Sequence, residues 1–199
     1  MFNFHLSGQQ PRQSERLRTH MDDPQGISRL ATALSEYIRG AGAGRQVVVL
    51  CVGTDRSTGD CLGPLVGSQL LAKGSKELSV YGSLDKPVHA SNLQQTLTEL
   101  GSIHQNPFLI AVDACLGKLD SVGYISLAKG ALKPGAGVHK NLPMVGEACL
   151  TGIVNVGGFM EYMVLQNTRL GIVMNMAGII SEVVFGAYYL ARRDYCMTP

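Results

Sequence analysis

Two unbroken apolar runs constrain this chain most: Val47-Val48-Val49-Leu50-Cys51-Val52 and Phe108-Leu109-Ile110-Ala111-Val112. Runs this short, rich in branched aliphatics and with no alternating polar residue, read as strands buried on both faces. Such strands belong to the interior of an α/β sheet covered by helices on each side. An aspartate follows each run: Asp113 directly, and Asp60 after the polar loop Gly53-Thr54-Asp55-Arg56-Ser57-Thr58-Gly59. Both carboxylates are therefore expected at or near the C-terminal edge of the sheet, where open α/β sheets place ligands and catalysis.

The rest of the chain supplies the helices. Ile27, Leu30, Ala31, Leu34, Tyr37 and Ile38 recur at three- and four-residue steps and predict a helix stopped by Gly40 and Gly42. A second helix begins near Gly63-Pro64, where proline's missing N–H is not needed, and ends near Lys73-Gly74. A short strand over 78–81 follows. Ser91 and Gln94 then form a capping-box pattern at the head of a helix carrying Leu93, Leu97 and Leu100. Only about eight residues separate Asp113 from the next apolar run, 122–127, too few for a parallel crossover. That fourth strand is expected to run antiparallel to the third. A Gly/Pro-rich loop over 130–143, a fifth strand over 149–156, a short helix over 159–165 and a long apolar helix over 170–191 complete the pattern.

These elements predict a single α/β domain over 26–199, three-layered as α/β/α around a mixed five-stranded sheet. Residues 1–25 are polar and predict a loosely ordered tail, in which Arg12, Arg16 and Arg18 read as solvated. Spacing alone does not fix the strand order. Asp60 and Asp113 meet only if the first and third strands are neighbours, as in a 2-1-3 arrangement.

Composition removes several classes of function. With 45% hydrophobic and 16% charged residues the chain is built to bury a core, and a net charge of +2 gives no electrostatic footprint for nucleic acid. The five cysteines form no CxxC pair and residues 1–23 lack an apolar signal core, so a reducing cytoplasm is expected. Residues 170–191 are long enough to span a bilayer and carry one charge, Glu182. An acidic residue near the middle of a span costs roughly 2.5–3.5 kcal/mol to insert. Asn175 and three glycines weaken the span further, so a core helix, with no membrane partner, is the expectation.

Among candidate sites, the 53–63 loop is not a phosphate cradle: Gly59-Asp60-Cys61 stands where a P-loop has Gly-Lys-Ser/Thr, and a carboxylate there repels phosphate. An aspartate ahead of a helix or at a strand end is often a cap or turn residue, which is the plain alternative for Asp60 and for Asp113 taken singly. On matching strand ends they point instead to one shared acidic site, able to bind metal or to divide acid and base roles. Asp55 lies in the same loop. His139 and His89, both in loops, are the available third ligands if Asp60 and Asp113 hold a metal. Cys61 and Cys115 have anionic neighbours where a catalytic thiol wants cationic ones, and no GxSxG elbow is present.

Val49 through Gly67 (VLCVGTDRSTGDCLGPLVG), Ala111 through Gly117 (AVDACLG) and Leu150 through Tyr162 (LTGIVNVGGFMEY) strongly resemble the YyaC family of sporulation proteins. More distantly the chain resembles the germination protease of spore-forming bacteria and the hydrogenase-maturation endopeptidases. That likeness implies a phosphorylase/hydrolase-like sheet of order 2-1-3-5-4 with strand four antiparallel. It places proposed catalytic aspartates on Asp60, within Gly59-Asp60-Cys61-Leu62-Gly63-Pro64, and on Asp113, within Val112-Asp113-Ala114. Where the hydrogenase-maturation enzymes carry a metal-binding histidine, this chain has Asn155, a far poorer ligand, which favours aspartate-only chemistry without a cofactor. The implied activity is an endopeptidase of sporulation or germination whose Asp60/Asp113 dyad activates water against protein or peptide substrates, small spore proteins among them. Asn155, Gly53 and Asp55 are the expected substrate contacts. The alternatives are an inactive protease fold serving as a binding module, and a metal-dependent peptidase using Asp60, Asp113 and His139. The tail before Gly26 is a candidate pro-segment by the same likeness, and a homo-oligomer is left open.

Overall fold

A computed structural model of the chain describes residues 16–42, 44–74, 78–134 and 142–193. Its elements, in order, are β1 (Arg16–His20), α1 (Gly26–Gly40), β2 (Val47–Cys51), α2 (Leu62–Ala72), β3 (Ser79–Tyr81), α3 (Leu93–Ile103), β4 (Phe108–Gly117), β5 (Tyr124–Lys129), β6 (Ala148–Val156), α4 (Glu161–Gln166) and α5 (Leu170–Arg193), with 3-10 turns at Gly59–Cys61 and Leu119–Ser121. The six strands form one sheet of order β1-β5-β6-β4-β2-β3. β3, β2, β4 and β6 run parallel, while β5 is antiparallel to β6 and β1 antiparallel to β5.

The apolar runs lie where their composition demands. Every residue of β2 is buried, because β3 and β4 flank it and helices cover both faces. Val47, Val49 and Cys51 join one core with Ile110, Val112 and Leu150, closed by α1, α2 and α5. Val48, Leu50 and Val52 join a second core with Leu109, Ala111 and Leu100, closed by α3 and by Leu132, Leu142 and Val145. The helical stripe of α1 buries Leu30, Leu34 and Ile38, each worth about 1.5–3 kcal/mol. α5 buries Val173, Met176, Ala177, Ile180, Val183, Val184 and Ala187 at helical spacing against α1 and α2. By length and composition alone this helix could cross a membrane. In the fold it covers the sheet, and Glu182 pairs at 2.6 Å with Lys73 at the end of α2.

Three expectations are corrected. The five strands foreseen occur in the order 2-1-3-5-4 with the fourth antiparallel, but a sixth precedes them, inside the stretch read as a loose tail. β1 pairs residue for residue with β5, from Arg16 opposite Ala128 to His20 opposite Tyr124. Asp23 ties β1 to α1: it accepts from the Gln25 N–H at 2.9 Å and from the Thr19 hydroxyl at 3.1 Å, and pairs with Arg29. Those bonds, the Gln25 N–H foremost, hold its carboxyl below the usual range. The capping box does not form either. Asn92 stands before α3, its amide oxygen taken by the His89 N–H and its amide nitrogen donated to the Pro87 carbonyl. Lastly, β4 does not end before Asp113 but continues to Gly117, because the long β6 keeps pairing with it after β2 has stopped.

Candidate functional site at the end of the parallel strands

Cys51, the last residue of β2, pairs with Val112, so Asp113 is the first residue of β4 beyond the end of β2. The Val52 N–H still bonds the Val112 carbonyl at 2.7 Å. The chain then turns sharply: the Gly53 N–H donates to the Val88 carbonyl at 2.8 Å and the Thr54 N–H to the Asp60 carbonyl at 3.1 Å. At Gly53, with φ of +149°, an added Cβ would lie 2.0 Å from the Asp60 carbonyl oxygen. Glycine is required there because the loop folds back onto its own start. The result sets Asp60 in the Gly59–Cys61 turn over the end of β2 and against β4.

Asp60 and Asp113 thus come to the same end of neighbouring strands, each from a different side. Asp60 enters from the α2 layer. Alternation along β4 assigns Asp113 to the face of Leu109 and Ala111. Asp113 is 6% exposed, and its Oδ1 accepts the Ala114 N–H at 2.9 Å. Asp60 is half-buried, its carboxylate without a hydrogen-bond or ion-pair partner among the described residues, and burial raises its pKa above the ordinary value. A carboxyl raised in this way favours its protonated form. Between the ordinary carboxylate range and the raised value the folded state binds more protons than the unfolded one, so stability falls as pH rises through that window. Asp60→Asn should therefore melt higher than the parent at neutral pH. The difference should vanish in acid below the ordinary carboxylate range, which a pair of thermal melts would check.

The other expected site residues fall elsewhere. Gly53 is buried and its N–H is engaged, so in the fold it shapes the loop. Asn155, expected as a substrate contact, is committed to the fold. Its Nδ2 donates to the Val164 carbonyl at 3.3 Å and to the Thr168 hydroxyl at 3.2 Å, and its Oδ1 accepts the Val156 N–H at 2.8 Å. It braces β6 against α4, and Thr168 in turn lies close enough to Gly59 to bar any side chain there. Asp55 is exposed in the loop. The His89 Nδ1 accepts the Ser91 N–H at 3.3 Å in the turn before α3. His139 lies outside the described residues, and no group of three His, Cys, Asp or Glu side chains suited to a metal occurs among those that are described. The thiols are suppressed as their neighbours imply: burial first and Asp113 second push Cys115 up to about 11, and burial, Asp55 and Asp60 raise Cys61.

Two features escaped the sequence reading. A lip of exposed apolar side chains, Phe159 (90% exposed), Met160, Tyr162 (69%) and Met163, projects from α4 and its entry, and α4 packs on the Asp60 turn. Its signal was the glycine pair Gly157-Gly158 followed by large apolar residues in a stretch too short to form a buried helix. The second is a polar row across four strands. Arg18 pairs with Ser126, Ser126 with Thr151, and Thr151 with Asp113, so all four share one face.

The fold and site define an α/β domain with a mixed sheet and two acidic side chains at the end of its parallel strands. The chain belongs to the family described as "Protein of unknown function (DUF1256)", which matches residues 18–183. It is 52% identical over 170 residues to the uncharacterized protein YyaC of Bacillus subtilis (strain 168), covering 84% of this chain and 82% of that one. Among solved structures it is similar to the [NiFe] hydrogenase maturation protease HycI from Thermococcus kodakarensis KOD1, at 14% identity and a TM-score of 0.46, over 77% of this chain and 99% of that chain.

Proposed function

We propose that this protein is an endopeptidase of the sporulating cell that uses Asp60 and Asp113 as an acidic dyad. The observation that carries the reading is the delivery of two carboxylates, far apart in sequence, to one end of adjacent strands. In this scheme Asp60, whose carboxyl is raised by burial, is the proton-bearing partner and polarises the scissile carbonyl. Asp113 takes the proton from the attacking water. The exposed lip around Phe159 and Tyr162 supplies apolar surface beside the turn, suited to a peptide's side chains.

Purified full-length protein should cut small spore proteins, read by gel and mass spectrometry. Intact substrate after prolonged incubation over a range of pH would end the proposal. The same lip also suits a binding module without catalysis. A pull-down from sporulating cells with parent and Asp60→Asn protein separates the two, since a module keeps its partner uncut in both.

A further inference from the structure

We propose that the sheet face between β1 and β4 is a binding cleft for an acidic side chain of a peptide, with Arg16 and Arg18 gripping its carboxylate. The peptide's role as substrate rests on the peptidase reading above; its binding does not. Arg16 and Arg18 are two apart on one strand, so both project from the same face, about 7 Å from one another along the strand. With Cys115, Ser126, Thr151 and Ile153 they line a cleft of about 530 Å³. Neither arginine has a carboxylate partner among the described residues, although surface arginines are long enough to find one. The Arg18 guanidinium lies 4.6 Å from the centre of the Tyr124 ring, which orients it and reduces the freedom lost when it binds.

The chemistry of the cleft selects a carboxylate. Two guanidinium forks on one face of a strand repel one another, and a planar anion between them relieves that repulsion with paired N–H bonds. Ser126, buried beneath the arginines, adds a hydroxyl donor, while the Thr151 hydroxyl beside it bonds Cys115. The row Arg18–Ser126–Thr151–Asp113 is cationic at one end and anionic at the other. Both arginines and Asp113 act on the Cys115 thiol, so they share one electrostatic neighbourhood. Three interstrand steps of about 4.8 Å separate Arg18 from Asp113, roughly 14 Å. Allowing for the reach of the arginine side chain, an extended peptide with its scissile bond at Asp113 places the gripped residue about two to four positions away, at about 3.3 Å per residue.

The test is fluorescence anisotropy of a labelled extended peptide bearing two glutamates against its glutamine counterpart, on full-length Asp60→Asn protein so that cleavage does not intervene. The acidic peptide should bind about tenfold more tightly or better at low salt, the size of one charge-assisted bond. Added salt should erode the preference, Arg16→Gln with Arg18→Gln should abolish it, and Arg18→Lys should keep only part. Equal affinity for both peptides, or a preference that survives the double variant, overturns the cleft. Displacement of the peptide by free glutamate at equal concentration overturns it too, by showing a small-molecule site. Charge-selective binding by the Asp60→Asn protein, with the same peptide left uncut by the parent, would leave the cleft standing and remove the peptidase, while cleavage by the parent without charge preference would do the reverse.

Discussion

Asp113→Asn should cut peptide cleavage by about 100-fold or more, the usual scale for losing a positioned acid–base group, while melting within about 2 °C of the parent. The two expectations belong together because asparagine separates chemistry from structure at this position. Asp113 is buried, and one bond it gives the fold is acceptance of the Ala114 N–H at Oδ1. The amide oxygen of asparagine can accept the same N–H, so the local backbone keeps its partner. An amide cannot take a proton from water, so the proposed base is gone. Asp113→Ala removes both, leaving a partly buried N–H without this partner, at a cost of about 1 kcal/mol. It should lose activity and several degrees of melting temperature together. If Asp113→Asn cleaved as well as the parent, Asp113 would be a turn residue and the dyad would be void. The pH profile gives a further check: activity should fall as pH rises through the raised pKa of Asp60, because the protonated carboxyl is then depleted.

What the sequence revealed followed from period and spacing. Fully apolar runs can only be interior strands, so β2 and β4 and their neighbourhood were legible, and the short link after Asp113 left an antiparallel return as the sole option. β1 was hidden because Arg-Leu-Arg-Thr-His buries little: one face of an edge strand is solvated, and its hydrogen bonds depend on β5, far along the chain. Reading it as tail also hid the arginines, whose i, i+2 spacing was the available signal once a strand was allowed. The structural role of Asn155 was not legible for a different reason. A polar residue just past an apolar run signals the sheet's edge, but whether its amide faces solvent or braces a neighbouring helix depends on α4, whose position only the fold supplies. Asp60 and Asp113 stood out in the sequence because each follows an apolar run, though that β4 continues past Asp113 and that the two approach from separate layers required coordinates.

The site's dependence on close backbone approach leads to the second large effect: Gly67→Ala should destabilise the protein by about 3 kcal/mol, the upper range for overpacking, and so lower its melting temperature by about 6–12 °C. Gly67 and Gly63 stand four apart on α2, one above the other on the same side of the helix. A Cβ at Gly67 would lie 1.9 Å from the Gly82 carbonyl oxygen, and one at Gly63 2.1 Å from that of Val52. Both obstacles are main chain at the ends of strands, which no rotamer change can clear, so the helix itself must move. α2 carries the Asp60 turn at its head, so a shift of α2 also moves Asp60 relative to Asp113. Activity should therefore fall further than the loss of folded protein explains. Gly178 in α5 is the matched control, since no atom lies within 4 Å of its added Cβ. Gly178→Ala meets only the helix-propensity difference and should stabilise by about 0.5–1 kcal/mol. Opposite signs for the two glycine-to-alanine changes, measured by urea titration, would establish that α2 sits on the strand ends by backbone contact. A neutral Gly67→Ala would mean that the helix is free to lift, and the placement of Asp60 would lose its physical basis.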